Sequence, residues 1–343
     1  MIKKSNVFIP ATTWILLCST CMGWQSHTKE DMFEHFFRKK SVTIAVMDSG
    51  LGGLSIMADA VERMREAKVF SEVRFVFFNA LFSNEGGYNG LRSRKEKIRV
   101  FNSALQGLEK QYRPDLILIG CNTLSALYND TAFSRQAQIP VKGIIDAGVE
   151  LIAQHLRASP VAKVLLFATQ TTISEKIYED ELAQRGFLRE RIVSEACPDL
   201  VPYIEKGPHS DETEMLIYAY VDEALQKSGN LGSALYVSFN CTHYGYSLEL
   251  WKKAFRSLGT EPLGYLNPNF KMNDFLFTVQ KSSRFPETHI SADVVSMVPI
   301  DKERIDSIGN WIKELSPQTA AALKNYSYKE NLFEWKTFVT GNR

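Results

Sequence analysis

From Ser41 onward, short apolar or β-branched runs alternate with longer stretches whose apolar residues recur at three- and four-residue spacing. The runs occupy residues 42–47, 73–78, 116–119, 141–145, 164–167 and 235–239. They are continuous, not alternating with polar residues, which predicts strands buried on both faces of parallel sheets. Ile98, Phe101, Leu105 and Leu108 mark one helical stripe between them, and Ile177, Tyr178 and Leu182 mark another. This βα alternation predicts an open-sheet α/β fold with right-handed crossovers. A second series of strand and helix starts within 146–160. Past Trp251 the alternation fades into Asn267-Pro268-Asn269, a valine-rich run at 294–298, and polar helical patterns to Arg343.

The first residues form a separate object. Lys3 and Lys4 precede an apolar stretch at 7–18 that Pro10 and Thr12-Thr13 interrupt. It is about 12 residues long where a spanning helix needs roughly 20, so residues 1–23 read as an export signal. The segment around Cys18 and Cys21 partly resembles a lipoprotein box, with Thr20 where a smaller residue is usual. The expected location is therefore exported, either periplasmic or anchored to the membrane through lipid on Cys21. A cytoplasmic enzyme with an N-terminal extension is the alternative.

Composition narrows the function. Forty Lys and Arg against 39 Asp and Glu leave a net charge of +1, without the basic excess that phosphate neutralisation needs, so no nucleic-acid partner is expected. A hydrophobic share of 45% with 23% charged residues suits a globular chain and excludes disorder. Cys121, Cys197 and Cys241 are the cysteines outside the signal, too far apart for a disulfide framework. No histidine stands at metal-ligand spacing, and no Walker loop or nucleophile elbow is present. No metal and no cofactor are expected.

In open α/β sheets, ligands sit outside the carboxyl ends of the strands, so the residues just past each apolar run are informative. The first run ends in Asp48-Ser49-Gly50-Leu51-Gly52-Gly53, the third in Gly120-Cys121-Asn122-Thr123, the fifth in Ala168-Thr169-Gln170-Thr171-Thr172, and the sixth in Asn240-Cys241-Thr242-His243. The two cysteine ends lie 120 residues apart and echo one another. Taken singly, each cysteine suits a buried structural thiol. As a pair at matching strand ends, each before a helix whose N-terminal field favours thiolate, they suit proton removal from one face of a carbon and return to the other. The Gly50-x-Gly52 pattern is a poor dinucleotide loop, because Asp48 stands where the first glycine belongs and Ser55 takes the third glycine's place. It reads better as a loop whose N–H groups hold a carboxylate, with Asp48 facing an amine or a proton-transfer partner; a glycine turn capped by Asp48 is the other reading. His243, two residues after Cys241, is placed to tune or shuttle that thiol's proton.

The ordered set Asp48-Ser49-Gly50-Leu51-Gly52-Gly53, Cys121-Asn122-Thr123 and Cys241-Thr242-His243-Tyr244 resembles the aspartate/glutamate racemase superfamily, glutamate racemase most closely. Ala168-Thr169 with Thr172 and Tyr178, and Ala196-Cys197-Pro198 followed by Val201-Pro202 and Glu205, fit the same family. The similarity runs from about Val42 to Trp251. It implies two pseudo-symmetric open-sheet α/β domains with a cofactor-free active site in the cleft between them. The expected division is 41–145 plus 246–300 for the first domain, 146–245 for the second, and 301–343 as a C-terminal extension. The resemblance makes Cys121 and Cys241 the acid/base thiols, assisted by Asp48 and His243, with Glu205 supporting the histidine. Ser49, Tyr88, Asn89, Asn122, Thr123, Thr169, Thr172 and Thr242 would hold the substrate, and Cys197 would be structural.

Two departures stand out. The family's Gly-Asp-Thr and Pro-Tyr-Gly after the second strand are here Asn79-Ala80-Leu81 and Gly87-Tyr88-Asn89, and Gly245 replaces a usual proline, which loosens the backbone. The expected activity is racemisation of glutamate or a related acidic amino acid, linked to cell-wall D-amino-acid supply. An exported, non-catalytic amino-acid-binding protein on the same fold is the alternative, motivated by the rewritten loop and the signal. A related isomerase or decarboxylase is a third reading, disfavoured by the presence of both thiols. The expected partner is a small amino acid, and a homodimer is left open. In an oxidising compartment two reactive thiols at one site risk cross-linking.

Overall fold

The computed structural model describes residues 28–228 and 234–339; the export signal expected at residues 1–23, with Cys18 and Cys21, lies outside the described residues. The strands are β1 (Ser41–Asp48), β2 (Glu72–Asn79), β3 (Leu116–Ile119), β4 (Val141–Gly143), β5 (Lys163–Ala168), β6 (Ile192–Ala196), β7 (Leu235–Asn240), β8 (Gly264–Leu266), β9 (His289–Ser296) and β10 (Ser327–Tyr328). They form two sheets, one in the order β10-β9-β2-β1-β3-β4 and one in the order β6-β5-β7-β8. Every paired neighbour is parallel.

The strand orders matter for function. In the first sheet the chain steps from β1 to β2 on one side and then returns to place β3 on the other. In the second sheet it steps from β5 to β6 and then places β7 opposite. A crevice opens where strand order reverses, so the switch points lie between β1 and β3 and between β5 and β7. Register brings the ends level, with Met47 opposite Ile119 and Ala168 opposite Asn240. The four motif-bearing strand ends are therefore two adjacent pairs, one per sheet.

One apolar core runs across both sheets, joining Ile44 and Val46 of β1 to Leu165 and Phe167 of β5 and to Val237 and Phe239 of β7. Trp251, fully buried, packs at a tilt 4.6 Å from Phe167 and 5.2 Å from Phe239 between ring centroids. Burying side chains of this size stabilises by about 1.5–3 kcal/mol each, so these rings fasten the helix Leu248–Ser257 to the second sheet.

Three sequence expectations are corrected. Residues 246–266 do not return to the first domain, because β8 pairs with β7 and extends the second sheet. Residues 301–343 are no appendage within their described part: β10 pairs with β9, and Leu332 and Phe333 are buried in the first sheet's core. The strand expected at 141–145 stops at Gly143, and a helix starts at Ile144. Residues 294–296 of the valine-rich run are the buried end of β9, whose first five residues are exposed or half-buried. After β9, the helices Lys302–Leu315 and Pro317–Lys324 pack against Leu54–Ala67, the helix that follows the glycine loop.

Candidate active site

A cavity of about 420 Å³ lies at the two switch points, and Asp48, Cys121, Cys241 and His243 all line it. The glycines of the β1 end make this convergence sterically workable. A Cβ on Gly52 would stand 2.2 Å from Thr242 Oγ1 and 2.6 Å from His243 Nδ1, and one on Gly50 would stand 2.9 Å from Glu205 Oε1. No side chain fits there without moving the residues that follow Cys241, so the glycine loop is a seat for the opposite strand end.

Cys121 is the N-cap of the short helix Asn122–Leu127. Its Sγ lies 3.1 Å from Ser49 Oγ. Burial pushes the thiol up to about 12, the charge of Asp48 adds to this, and the Ser49 hydroxyl and Leu124 N–H oppose it. The thiolate-favouring field expected at this strand end is thus outweighed by desolvation. Asp48 is 1% exposed, and burial raises its carboxyl to about 6 against the opposing charge of His243. The Thr242 hydroxyl donates to Asp48 Oδ2 at 2.9 Å, so the β1 end is tied to the β7 end by a direct bond.

Cys241 has different company. Its Sγ lies 3.8 Å from His243 Nδ1, and His243 Nε2 lies 2.9 Å from Glu205 Oε1. Burial works to lower the imidazole, but its bonds to Cys241 and Glu205 win and raise it to about 10. Glu205, from the helix Leu200–Lys206, also accepts the Leu51 N–H at 2.8 Å. Burial alone would raise its carboxyl, yet His243, the Leu51 N–H and Arg304 together hold it below the ordinary range. Gly245, where looseness was expected, instead admits Asn267: a Cβ there would meet Asn267 Nδ2 at 2.3 Å.

Hydroxyls and amides line the rest of the cavity. Thr123 and Thr169 share a hydrogen bond at 2.8 Å, and Thr169 bonds Thr172 at 3.1 Å. Thr172 thus stands behind Thr169, outside the cavity lining. Asn122 Oδ1 accepts from Tyr178 at 2.5 Å, and its buried Nδ2 finds no partner among the described residues. Tyr88 is buried edge-on against Phe82 with its hydroxyl unpartnered among the described residues, and the hydroxyl of Thr171 donates to Asn89 Oδ1 at 2.6 Å. Unpaired buried donors facing a cavity are costly and suit a ligand's carboxylate. Sequence reasoning missed Arg304, which also lines the cavity, and assigned Cys197 no place in it although it does line it. Arg304 carried one usable signal: it stands four residues before Ile308 and eight before Ile312, on the buried face of its helix. Among the described residues, no cluster of His, Cys, Asp and Glu could hold a metal ion, and no helix is long and apolar enough to cross a membrane.

The fold and site define a class: paired parallel α/β sheets with a thiol at each switch point, facing one cavity. The Asp/Glu/Hydantoin racemase family matches residues 28–243, well over half of the chain, and the protein belongs to that family. The glutamate racemase of Campylobacter jejuni is 32% identical over 166 residues, 48% of this chain and 60% of that protein, so this match spans less than two thirds of the relative. That of Aquifex aeolicus is 29% identical, covering 59% of this chain and 70% of its own, and that of Helicobacter acinonychis is 25% identical over 79% and 99%. The solved C. jejuni glutamate racemase superposes with a TM-score of 0.57 at 26% identity, covering 79% of this chain and 97% of that one. A glutamate racemase isoform from Bacillus anthracis superposes at 0.60 and 21% identity over 80% and 94%, a likeness of fold.

Proposed function

We propose that this protein is a cofactor-independent racemase of glutamate or a related acidic amino acid, working by proton transfer between Cys121 and Cys241. The observation that carries this reading is the convergence of both thiols on one cavity from two switch points, each with its own polar partner. One sulfur, as thiolate, takes the Cα proton, and the electron pair stays on Cα, delocalised into the carboxylate. The other sulfur, as thiol, gives its proton to the opposite face, which inverts the centre and exchanges the roles of the two sulfurs. A thiol pushed as high as Cys121 is protonated near neutral pH, so it is the proton donor of the resting site. Cys241 is then the base for the enantiomer whose Cα–H faces it, with His243 at its side. Ser49, Asn122, Thr123, Thr169 and Thr242, with Tyr88 and Asn89 from the loop, hold the ammonium and carboxylates. Relatives named glutamate racemase support glutamate as the first substrate to try. D-Glutamate made this way would serve cell-wall synthesis.

The test is loss of the Cα proton of L- and D-glutamate, then of aspartate and a wider panel, in deuterated buffer with reductant. Exchange accompanied by the opposite enantiomer supports the racemase. Binding without exchange on any amino acid replaces it with the exported binding protein. Export is proposed on residues 1–23 alone, and N-terminal sequencing of the mature protein from a bacterial host tests it: a start at Met1 rejects it.

A further inference from the structure

We infer, on the basis of the racemase reading above, that Arg304 is a positioning residue of the Cys241 side, holding Glu205 in the orientation that aims His243 at Cys241. Arg304 lies far beyond residue 243, where the family match ends, and reaches the cavity because its helix packs along the helices that carry Glu205 and the glycine loop. Of the described residues that line the cavity it is the one lysine or arginine.

The contacts form a line. Glu205 Oε1 is committed twice, to the Leu51 N–H at 2.8 Å and to His243 Nε2 at 2.9 Å. Oε2 lies 3.3 Å from Arg304 Nε, an ion pair between two largely buried side chains that is a contact of charge without hydrogen-bond geometry. His243 then presents Nδ1 to Cys241 at 3.8 Å. Without the guanidinium, the carboxylate would keep its two Oε1 bonds only by leaving a buried anionic oxygen unmatched, and rotation about the Cγ–Cδ bond would become the cheaper choice. That rotation breaks the 2.9 Å contact that fixes the imidazole ring.

Arg304 is itself held. Asp301 caps the helix, accepting the Arg304 N–H at 2.9 Å, and its other oxygen lies 3.5 Å from Arg304 Nη1. About two turns further along the same helix, Trp311 packs edge-on against Tyr246 at 4.7 Å. The Tyr246 hydroxyl donates to the carbonyls of Leu51 and Gly52 at 3.0 Å. The helix therefore grips both the glycine loop and the segment after Cys241, and its arginine closes the third side. A planar fork that spans two carboxylates is a task for arginine more than for lysine.

The experiment compares the wild-type full chain with Arg304→Gln and Arg304→Lys. The structural readout is the downfield proton resonance of the His243 Nε2–H, assigned by its absence in His243→Gln and independent of turnover. The kinetic readout is the split between kcat and KM for the amino acid that the wild type racemises. The inference predicts that Arg304→Gln loses the slowly exchanging resonance and drops kcat about 10- to 100-fold, as misplaced catalytic groups do, with KM within about twofold and partial recovery of both readouts in Arg304→Lys. A resonance unchanged in Arg304→Gln overturns it, and so does a loss carried by KM alone, which would make Arg304 a substrate contact. If Arg304→Gln does not fold, a weakened resonance in Arg304→Lys supports the inference and a wild-type one overturns it. A wild type that racemises nothing defeats the racemase reading, while the resonance still decides the Arg304–Glu205–His243 contact.

Discussion

The β3 end and the β7 end are the same device built twice, and their surroundings differ in charge. Each places a cysteine at a switch point. Around Cys121 stand a serine hydroxyl and the buried Asp48, so the sulfur is hydrogen-bonded but sits next to a carboxyl group. Around Cys241 stand an imidazole, then a carboxylate, then a guanidinium. A racemase needs one acid and one base at any instant, and two identical sites would have no reason to divide those roles. The repeated topology brings two strand ends to one cavity, and the unequal neighbours give the two thiols different charged surroundings.

Removing either sulfur breaks the comparison outright. Cys121→Ala and Cys241→Ala are each expected to lower racemisation by about 10³-fold or more, the range of a lost proton-transfer group, measured as appearance of the opposite enantiomer. Next in size is Asp48→Asn. The folded carboxyl titrates near 6 against an ordinary 3.8, so the native state binds the proton more tightly and wild-type stability falls as pH rises from about 4 to about 6. That loss is on the order of 3 kcal/mol, and denaturant unfolding of Asp48→Asn should lack it. An unchanged slope between pH 4 and 6 would remove Asp48 as the buried acid on the Cys121 side.

His243→Gln probes the other side. A loss of about 10²-fold in kcat is expected. The imidazole titrates near 10 when folded against 6.5 otherwise, so its stabilisation is complete below about 6.5 and disappears as pH rises through 10. Unfolding measured from pH 6 to 10 should be flatter in the variant, and equal slopes would contradict the assignment. The smallest effect is steric. Gly52→Ala should cost about 1–3 kcal/mol of stability through overpacking against Thr242 and His243, seen as a lower unfolding midpoint; a neutral result would mean the two ends do not meet as closely as described.

Burial decides how much of the fold was legible in the sequence. The six strands expected from continuous apolar runs are β1, β2, β3, β5 and β7, each with a neighbour on both sides, together with the edge strand β4. The others were hidden for physical reasons: β6 carries Ser194 and Glu195 on an edge, β8 and β10 are two or three residues long, and the first five residues of β9 are exposed or half-buried. The strand-end motifs named the thiols because chemistry concentrates where a strand gives way to a helix. Glu205 was reached through family resemblance, since a glutamate on a short helix carries no local signal. Arg304 was missed because a polar helix near the C-terminus reads as surface until its buried face is known.

The most direct test of the central claim, that two unlike thiols share one proton-transfer path, is proton NMR of L- and D-glutamate in deuterated buffer with wild-type, Cys121→Ala and Cys241→Ala protein. The account predicts Cα exchange with inversion in the wild type and no racemisation in either variant. Racemisation that survives the loss of one sulfur would contradict it.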